Sequence, residues 1–260
     1  MNKDIGRLRK ALEEKRVAYG LAQFSDSQEI TEIAGFAGFD FISFDTHIAP
    51  RSLESIQPLI AAANASGITP LIRVTQNEPN MINRALNIGC EGVVIPHIDS
   101  RDDAEMAVNA AKYEPWGNRG SCPNTRGSQW DLIPWEKSSK MANEMTWVIP
   151  LIESKEAIRN YEDIITVKGI DIAFIGPWDL SLSLGIAGKD WTHPTMREVL
   201  EKVIKISKKH GVKLWTTTAQ TMTKEYTEML IEKGFDMINF NTDLAIFRRA
   251  CLRLLKEKDI

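Results

Sequence analysis

The sequence predicts an α/β fold: a single (β/α)8 barrel, or TIM barrel, that spans residues 1–260 and carries an extra N-terminal helix. Short apolar runs alternate with longer segments of helical periodicity, and eight such strand–helix pairs follow one another. The chain length of 260 residues also matches the ~250 residues typical of this barrel. Finally, a glycine, one further residue and an acid join a predicted helix to the next strand at residues 38–40, 89–91, 169–171 and 234–236.

The first half of the chain supplies the extra helix and four strand–helix pairs. The extra helix covers residues 4–15, and Ile5, Leu8 and Leu12 lie on one apolar stripe that is expected to cover one end of the barrel. The strands are predicted at 17–24, 39–45, 69–74 and 92–96, and the helices at 27–38, 53–66, 79–88 and 102–113. In the helix at 27–38, Ile30, Ile33 and Ala34 are predicted to face inward.

The second half repeats the pattern after one interruption. Strands are predicted at 147–152, 170–175, 212–217 and 236–240, and helices at 156–167, 194–210, 224–233 and 244–255. The interruption is segment 114–130, which is too rich in glycine and proline to form one regular element. Loops of that length in a compact domain are usually functional, so this segment is expected to contribute to function.

Composition excludes several classes of partner. The net charge is −3 and the basic residues are scattered, so no basic stripe predicts nucleic-acid binding. The N-terminus lacks the apolar core of a signal peptide, and no apolar run approaches the ~18 residues of a membrane-spanning helix. The sequence therefore predicts a cytoplasmic protein that binds neither nucleic acid nor membrane.

Two acids follow consecutive predicted strands. Glu153 comes directly after the strand at 147–152, and Asp179 comes within a few residues of the strand at 170–175. The carboxyl ends of parallel strands are where such sheets bind ligands, so the pair predicts a divalent-metal site. The alternative for either acid alone is that it caps the helix that follows.

Several motifs carry a resemblance to a known family. They are residues 38–45 (GFDFISFD), 49–50 (AP), 72–74 (IRV), 77–79 (NEP), 119–120 (RG), 126–130 (RGSQW), 149–154 (IPLIES), 174–181 (FIGPWDLS) and 193–194 (HP). Through them the chain resembles the HpcH/HpaI aldolases, the class II metal-dependent pyruvate aldolases, over nearly its whole length. The resemblance implies a metal held by Glu153 and Asp179, and a 2-oxo acid chelated through its carboxylate and keto oxygens. It also implies a homo-oligomer, a hexamer built as a trimer of dimers that exchange their C-terminal helices.

The chemistry of such a site assigns further roles. A divalent ion such as Mg²⁺, Mn²⁺ or Co²⁺ polarises the keto group and stabilises an enolate. Arg73, at the end of the third predicted strand, is expected to donate hydrogen bonds to the oxygen on which negative charge develops. The backbone N–H groups of Trp178 and Asp179 are expected to hold the substrate carboxylate. The Trp178 ring either reshapes the pocket or packs outward.

Three positions depart from the family pattern. Where the family reads Asp-x-Glu-His-Ala-Pro, with the histidine as catalytic base, this chain has Ile48 in the histidine position. Asn87 stands where the family has the aspartate that supports the base, and Leu151 where it has a substrate-binding glutamine. His47, one residue before the expected base, is a candidate replacement; the alternative is that it only forms hydrogen bonds at the rim of the pocket. His97, after the fourth predicted strand, is the next candidate.

These residues support one leading function and two alternatives. The leading hypothesis is a carbon–carbon lyase, an aldolase, that acts on pyruvate or a related 2-oxo acid through an enolate, with an aldehyde as the possible second substrate. The first alternative is decarboxylation of oxaloacetate, in which loss of CO2 forms the enolate without proton abstraction. The second is a non-catalytic protein that binds a 2-oxo acid.

Overall fold

The computed structural model describes residues 6–218 and 221–256, and its centre is a closed barrel of eight strands. Each strand pairs in parallel with the next along the chain, and β8 returns to pair with β1. This architecture confirms the predicted (β/α)8 barrel. The strands are β1 (Ala18–Gln23), β2 (Phe41–Asp45), β3 (Thr69–Arg73), β4 (Gly92–Ile95), β5 (Trp147–Ile152), β6 (Ile172–Ile175), β7 (Lys213–Thr217) and β8 (Met237–Thr242).

The helices surround the barrel. They are α1 (Arg7–Glu13), α2 (Gln28–Phe36), α3 (Leu53–Ser66), α4 (Pro79–Asn87), α5 (Arg101–Ala111), α6 (Trp135–Met145), α7 (Lys155–Arg159), α8 (Tyr161–Ile165), α9 (Pro177–Ser183), α10 (Pro194–His210), α11 (Lys224–Lys233) and α12 (Asp243–Lys256). Helices α3, α10 and α11 have the predicted bounds. Most other predicted elements differ by one to three residues at an end, because the first and last turns depend on contacts that periodicity does not show.

The barrel interior is a packed core. Side chains alternate between the two faces of each strand, so every second residue points toward the barrel axis. Trp215 fills much of this interior: its ring stacks on Phe174 with centroids 4.1 Å apart and meets the edge of Phe41 at 5.0 Å. The indole N–H donates to Asn239 Oδ1 at 2.9 Å, which satisfies the one polar group of that ring.

Helix α1 covers the end of the barrel where the strands begin, as predicted. Leu8, Ala11 and Leu12 are buried and pack on the apolar residues of the interior. The Leu8 N–H donates to Thr69 Oγ1 at 3.1 Å, which ties the helix to the start of β3. The predicted residues 4 and 5 of this helix lie outside the described residues.

The inward face of α2 differs from the prediction. Ala34 is buried and Ile30 packs against the core, but the Ile33 side chain is 66% exposed. The buried stripe contains Ala34 and Gly35, because α2 approaches α3 so closely that a Cβ on Gly35 would lie 2.4 Å from the Ser66 Cβ. The prediction was wrong for Ile33 because α2 packs so closely on α3 that only small side chains fit between the two helices.

Three helical features escaped prediction. Helix α6 lies within the connection between α5 and β5, α9 follows β6, and the single helix predicted at 156–167 is divided into α7 and α8 at Asn160. The long segment 114–130 also lies in the connection from α5 to β5. In this fold a connection from a helix to the next strand lies at the end of the barrel where strands begin. Within one chain the segment is therefore remote from Glu153.

Helix α12 exposes an unusual amount of apolar surface. Phe247 is 69% exposed, Leu254 65% and Leu255 62%, and Asp243 is the one buried residue of the helix. An exposed row of large apolar side chains is typical of a surface that contacts another chain. Among residues 6–218 and 221–256, no helix is both long enough and apolar enough to span a bilayer.

Candidate active site

Predicted site residues and one further acid, Asp45, lie at the mouth formed by the carboxyl ends of the strands. Asp45 ends β2, Arg73 ends β3, and Glu153 directly follows β5. Asp45 and Arg73 are partners in the β2–β3 register. The Gly176 N–H donates to the Ile152 carbonyl at 3.0 Å, so β6 ends beside Glu153. The barrel thereby gathers charged residues that are more than 100 positions apart in the sequence.

Glu153 is a buried carboxylate, only 6% exposed. Its Oε1 accepts a hydrogen bond from the His97 backbone N–H at 3.1 Å and lies 3.2 Å from His97 Nδ1. Burial raises the pKa of Glu153, and the negative charge of Asp179 raises it further, whereas His97 and Arg73 oppose the rise. Glu153 therefore lies within electrostatic range of Asp179 and Arg73.

The structure argues against a capping role for Glu153. The side chain that caps α7 is Ser154, whose hydroxyl accepts the Ala157 N–H at 2.9 Å. Glu153 points instead toward the end of β6, where a Cβ placed on Gly176 would lie 3.8 Å from Glu153 Oε2. A residue without a side chain at position 176 thus leaves space beside the carboxylate.

Asp179 lies in the first turn of α9 and is exposed. Pro177 begins this helix, and α9 has no side-chain cap. The Trp178 side chain is 54% exposed, so its ring lies outward rather than in the buried part of the mouth. The first backbone N–H groups of a helix have no acceptor within that helix, which leaves those of Trp178 and Asp179 available to an anion.

Arg73 is held by an acid that the sequence analysis did not include in the site. Asp45 is 2% exposed and its Oδ2 accepts a short hydrogen bond from Arg73 Nε, while Oδ1 accepts the N–H groups of Ile48 and Ala49 at 2.7 Å each. Asp45 thus fixes both the guanidinium and the loop after β2. Its sequence signal was an acid at the end of a predicted strand, the same signal that identified Glu153.

His47 and His97 lie together at the mouth. Their ring centroids are 5.4 Å apart, and His47 Nδ1 lies 2.8 Å from the Thr75 carbonyl oxygen. Because a carbonyl only accepts hydrogen bonds, this contact places the proton of the neutral ring on Nδ1 and leaves a lone pair on Nε2. Because β2 ends at Asp45, the alternation of side chains along a strand does not determine the direction of the His47 side chain.

The three departures from the family pattern lie in different places. The Ile48 side chain is 63% exposed in the loop after β2, and Leu151 is buried in the barrel interior close to Gly176. Asn87 is the last residue of α4, and its Oδ1 accepts from Arg119 Nη2 at 2.8 Å. A helix of this barrel ends where the strands begin, so one chain does not bring Asn87 near Ile48.

The residues at the mouth fit a divalent cation. A desolvated carboxylate with a second carboxylate in electrostatic range is an oxygen donor set suited to Mg²⁺ or Mn²⁺. Within the described ranges, no group of three or more His, Cys, Asp and Glu side chains is arranged to hold a metal ion. Two carboxylates would leave the other coordination positions of the ion open to substrate and water.

A closed (β/α)8 barrel with two carboxylates and an arginine–aspartate ion pair at its mouth is the architecture of a barrel enzyme, here one suited to carbon–carbon lyase chemistry. The family model for HpcH/HpaI aldolase/citrate lyase matches residues 19–250. The chain therefore belongs to the HpcH/HpaI aldolase/citrate lyase family. This result confirms the resemblance carried by the sequence motifs.

Individual relatives are similar over nearly the full length. The chain is 28% identical to 5-keto-4-deoxy-D-glucarate aldolase of Escherichia coli (strain K12) over 256 residues, which cover 98% of both proteins. The crystal structure of an HpcH/HpaI aldolase from Desulfitobacterium hafniense DCB-2 has a TM-score of 0.90 at 27% identity, with 96% of this chain and 95% of that chain covered. The crystal structure of an HpcH/HpaI aldolase/citrate lyase family protein from Burkholderia cenocepacia J2315 has a TM-score of 0.89 at 26% identity, with 97% of this chain and 98% of that chain covered.

Proposed function

We propose that the protein is a divalent-metal-dependent carbon–carbon lyase that acts on pyruvate or a related 2-oxo acid through an enolate. The observation that carries the proposal is the buried Glu153 carboxylate, which lies within electrostatic range of Asp179 and Arg73 at the barrel mouth. A buried carboxylate beside a second acid is costly unless a cation compensates the charge. Glu153 and Asp179 would hold that cation, which when bound polarises the keto oxygen of the substrate.

Arg73 supplies the positive charge that faces the reacting oxygen. Its Nε is bonded to Asp45, which holds the guanidinium in a fixed orientation. The remaining N–H groups of the planar fork can donate to the keto oxygen and bind it more tightly as it becomes an enolate oxygen. The backbone N–H groups of Trp178 and Asp179, in the first turn of α9, bind the substrate carboxylate.

His47 is the proposed general base. The Thr75 carbonyl fixes its tautomer, so Nε2 is able to accept a proton from the methyl group of pyruvate or from a hydroxyl group of the aldol. Its neighbour His97 contacts Glu153 and contributes to holding that carboxylate in place. This arrangement would substitute for the family histidine, whose position is taken by the exposed Ile48.

The side chain of Ile48 also favours a second candidate reaction at the same site. An exposed isoleucine has no group that can exchange a proton. Decarboxylation of oxaloacetate forms the same enolate by loss of CO2, and needs no base for that step. If His47 is not the base, this reaction is the one that the remaining residues would support.

The apolar surface of α12 supports a homo-oligomer. Phe247, Leu254 and Leu255 are each more than 60% exposed in the single chain, and they lie on its last described helix. Packing of α12 against a second copy would bury these side chains. We propose that this helix is exchanged between subunits, in the manner that the family resemblance implies for a hexamer.

Titration with Mn²⁺ by calorimetry tests the metal site. Glu153→Gln and Asp179→Asn are each expected to abolish measurable binding, because each removes one of the two charged oxygen ligands. Glu198→Gln makes the same carboxylate-to-amide change on the exposed surface of α10 and should bind like the native protein. Unaltered Mn²⁺ affinity in both mouth variants would refute the assignment. Circular dichroism would establish that all variants are folded.

A further inference from the structure

A second cavity lies at the opposite end of the barrel from Glu153. Its volume is about 590 Å³, within the ~300–1,000 Å³ range of small-molecule sites. Thr69, the first residue of β3, and Glu91, directly before β4, line it, which places it where the strands begin. Residues of α1, of α6 and of the long segment 114–130 close its sides. The cavity therefore uses three parts of the chain that the mouth does not use.

Arg119 is the first positive charge of this cavity. It is 8% exposed, and its guanidinium lies over the Tyr113 ring at 4.7 Å from the ring centroid. Its hydrogen bonds go to neutral groups, the Oδ1 atoms of Asn83 at 3.3 Å and Asn87 at 2.8 Å. Burial removes water from the guanidinium of Arg119 and thereby lowers its pKa. A buried guanidinium held only by neutral amides is a strong donor for an anion.

Arg126 adds a second charge. Its Nε is buried and has no hydrogen-bond partner among the described residues. The side chain lies across Gly89, where an added Cβ would come within 2.8 Å of Arg126 Cγ and Cδ. Gly89 has a φ of +100° and thus allows both the turn before β4 and the close approach of the arginine. An unpartnered buried N–H group indicates that a hydrogen-bond acceptor is missing.

The charged residues that line the cavity are predominantly basic. Arg7, Arg119 and Arg126 face a single acid, Glu91, among the described residues of the lining. Among the residues that the structure describes, the guanidinium of Arg7 donates to backbone carbonyls, including that of Ser66 at 3.0 Å. Three arginines and one glutamate give the described part of the lining a formal charge of +2. That charge is complementary to a dianion.

We propose that this cavity is a binding site for a small oxyanion of charge −2, either a dicarboxylate or a phosphate group. The planar forks of Arg119 and Arg126 suit both, since carboxylate and phosphate oxygens accept paired N–H groups. The proposal does not depend on metal binding or on catalysis, because its residues lie at the other end of the barrel from the mouth. The proposed site gives segment 114–130 a role in ligand binding. Within one chain the segment is too far from the mouth to bind a ligand there.

Calorimetric titration with inorganic phosphate and, separately, with malonate tests the site. Either anion should bind to the native protein, and the one that binds more tightly distinguishes phosphate from dicarboxylate as the preferred class. Arg119→Gln and Arg126→Gln should each weaken binding about tenfold or more, since each removes a charged donor. Arg101→Gln, an exposed residue of α5, should leave the affinity unchanged.

Two further comparisons separate this site from the mouth. Arg73→Gln removes the arginine of the mouth and should also leave the affinity unchanged. Affinity that falls in Arg73→Gln but persists in Arg126→Gln would place the anion at the mouth and overturn the proposal, as would the absence of millimolar binding to native protein. Arg126 is only half-buried, so Arg126→Gln decides the question even if the more buried Arg119 cannot be replaced without unfolding.

Discussion

At the scale of single residues, Arg73 is the group whose role is most specific to the chemistry. It shares Asp45 with the loop that carries His47, so one buried carboxylate orients the guanidinium and positions the candidate base. A planar guanidinium can keep its Nε bond to Asp45 while it donates to a substrate oxygen. A lysine has a single nitrogen, so its ammonium group lacks the planar fork that holds these two contacts in fixed directions.

Arg73→Lys is therefore expected to act on the transition state. It keeps the positive charge but loses the fork, and kcat should fall ~100-fold or more, the range found when one oxyanion donor is removed. Steady-state kinetics with a 2-oxo acid substrate would measure the effect. A variant with normal kcat and a raised KM would show that Arg73 only binds the ground state.

The residues of the mouth were only partly predictable. Glu153, Asp179 and Arg73 could be identified because each lies at or just beyond a strand end, a position that the hydrophobic pattern defines. The role of Asp45 could not, because it depends on a loop that folds back onto β2 and on the register between β2 and β3. The separation of Asn87 from Ile48 needed the direction of α4 in space.

At the scale of elements, the junction between α5 and α6 contains a buried charge. Lys112 is 2% exposed, and its Nζ donates to the carbonyls of Asn143 and Thr146 at the end of α6. Burial lowers the pKa of Lys112 from 10.5 to about 8, and the charges of Arg9 and Arg119 add to that effect. The contact satisfies carbonyls that the end of α6 leaves without intrahelical partners.

This lowered pKa predicts a pH dependence of stability. Between about pH 10.5 and 8 the unfolded chain binds a proton that the folded chain does not, so the free energy of unfolding falls as pH decreases. The contribution over that whole window is about 3 kcal/mol. Urea unfolding from pH 7.5 to 10 should show this slope for native protein and Lys140→Met, but not for Lys112→Met. An equal change in the free energy of unfolding with pH in all three proteins would contradict the prediction.

The bounds of a helix were predicted well where the sequence itself shows where the helix ends. Helices α3, α10 and α11 each end next to a glycine with positive φ, and the sequence shows both the periodicity and the glycine. Helix α6 was missed because it lies in the connection between α5 and β5, where the alternation of strands and helices predicts no further helix. The inward face of α2 was misjudged because close approach to α3 favoured Gly35 over Ile33.

At the scale of the whole molecule, the barrel separates two charged regions. Acids and Arg73 form the mouth, whereas Arg7, Arg119 and Arg126 line the cavity at the other end. Strand order along the chain made the barrel predictable, since every strand pairs with its neighbour in sequence. The second cavity was not predictable, because α1, α6 and the long segment meet there only after the barrel closes.

The exposed surface of α12 predicts assembly. Phe247→Asp should weaken association about 30- to 150-fold, because burial of a phenylalanine side chain contributes about 2–3 kcal/mol to an interface. Analytical ultracentrifugation over a range of concentrations would measure the shift toward smaller species. Arg197→Asp places the same charged side chain on exposed α10 and should assemble like the native protein. A native protein that is monomeric at all concentrations would refute the proposed helix exchange.

Exchange of the pyruvate methyl protons in heavy water tests the central claim most directly, because it reports enolate formation without any aldehyde. With Mg²⁺ or Mn²⁺ added, the native protein should catalyse exchange, and without the cation or in Glu153→Gln the exchange should be lost. His47→Ala should slow it ~100- to 10,000-fold if His47 is the base. Exchange by the native protein that is equally fast without a cation and in Glu153→Gln would contradict metal-assisted enolate formation at this mouth.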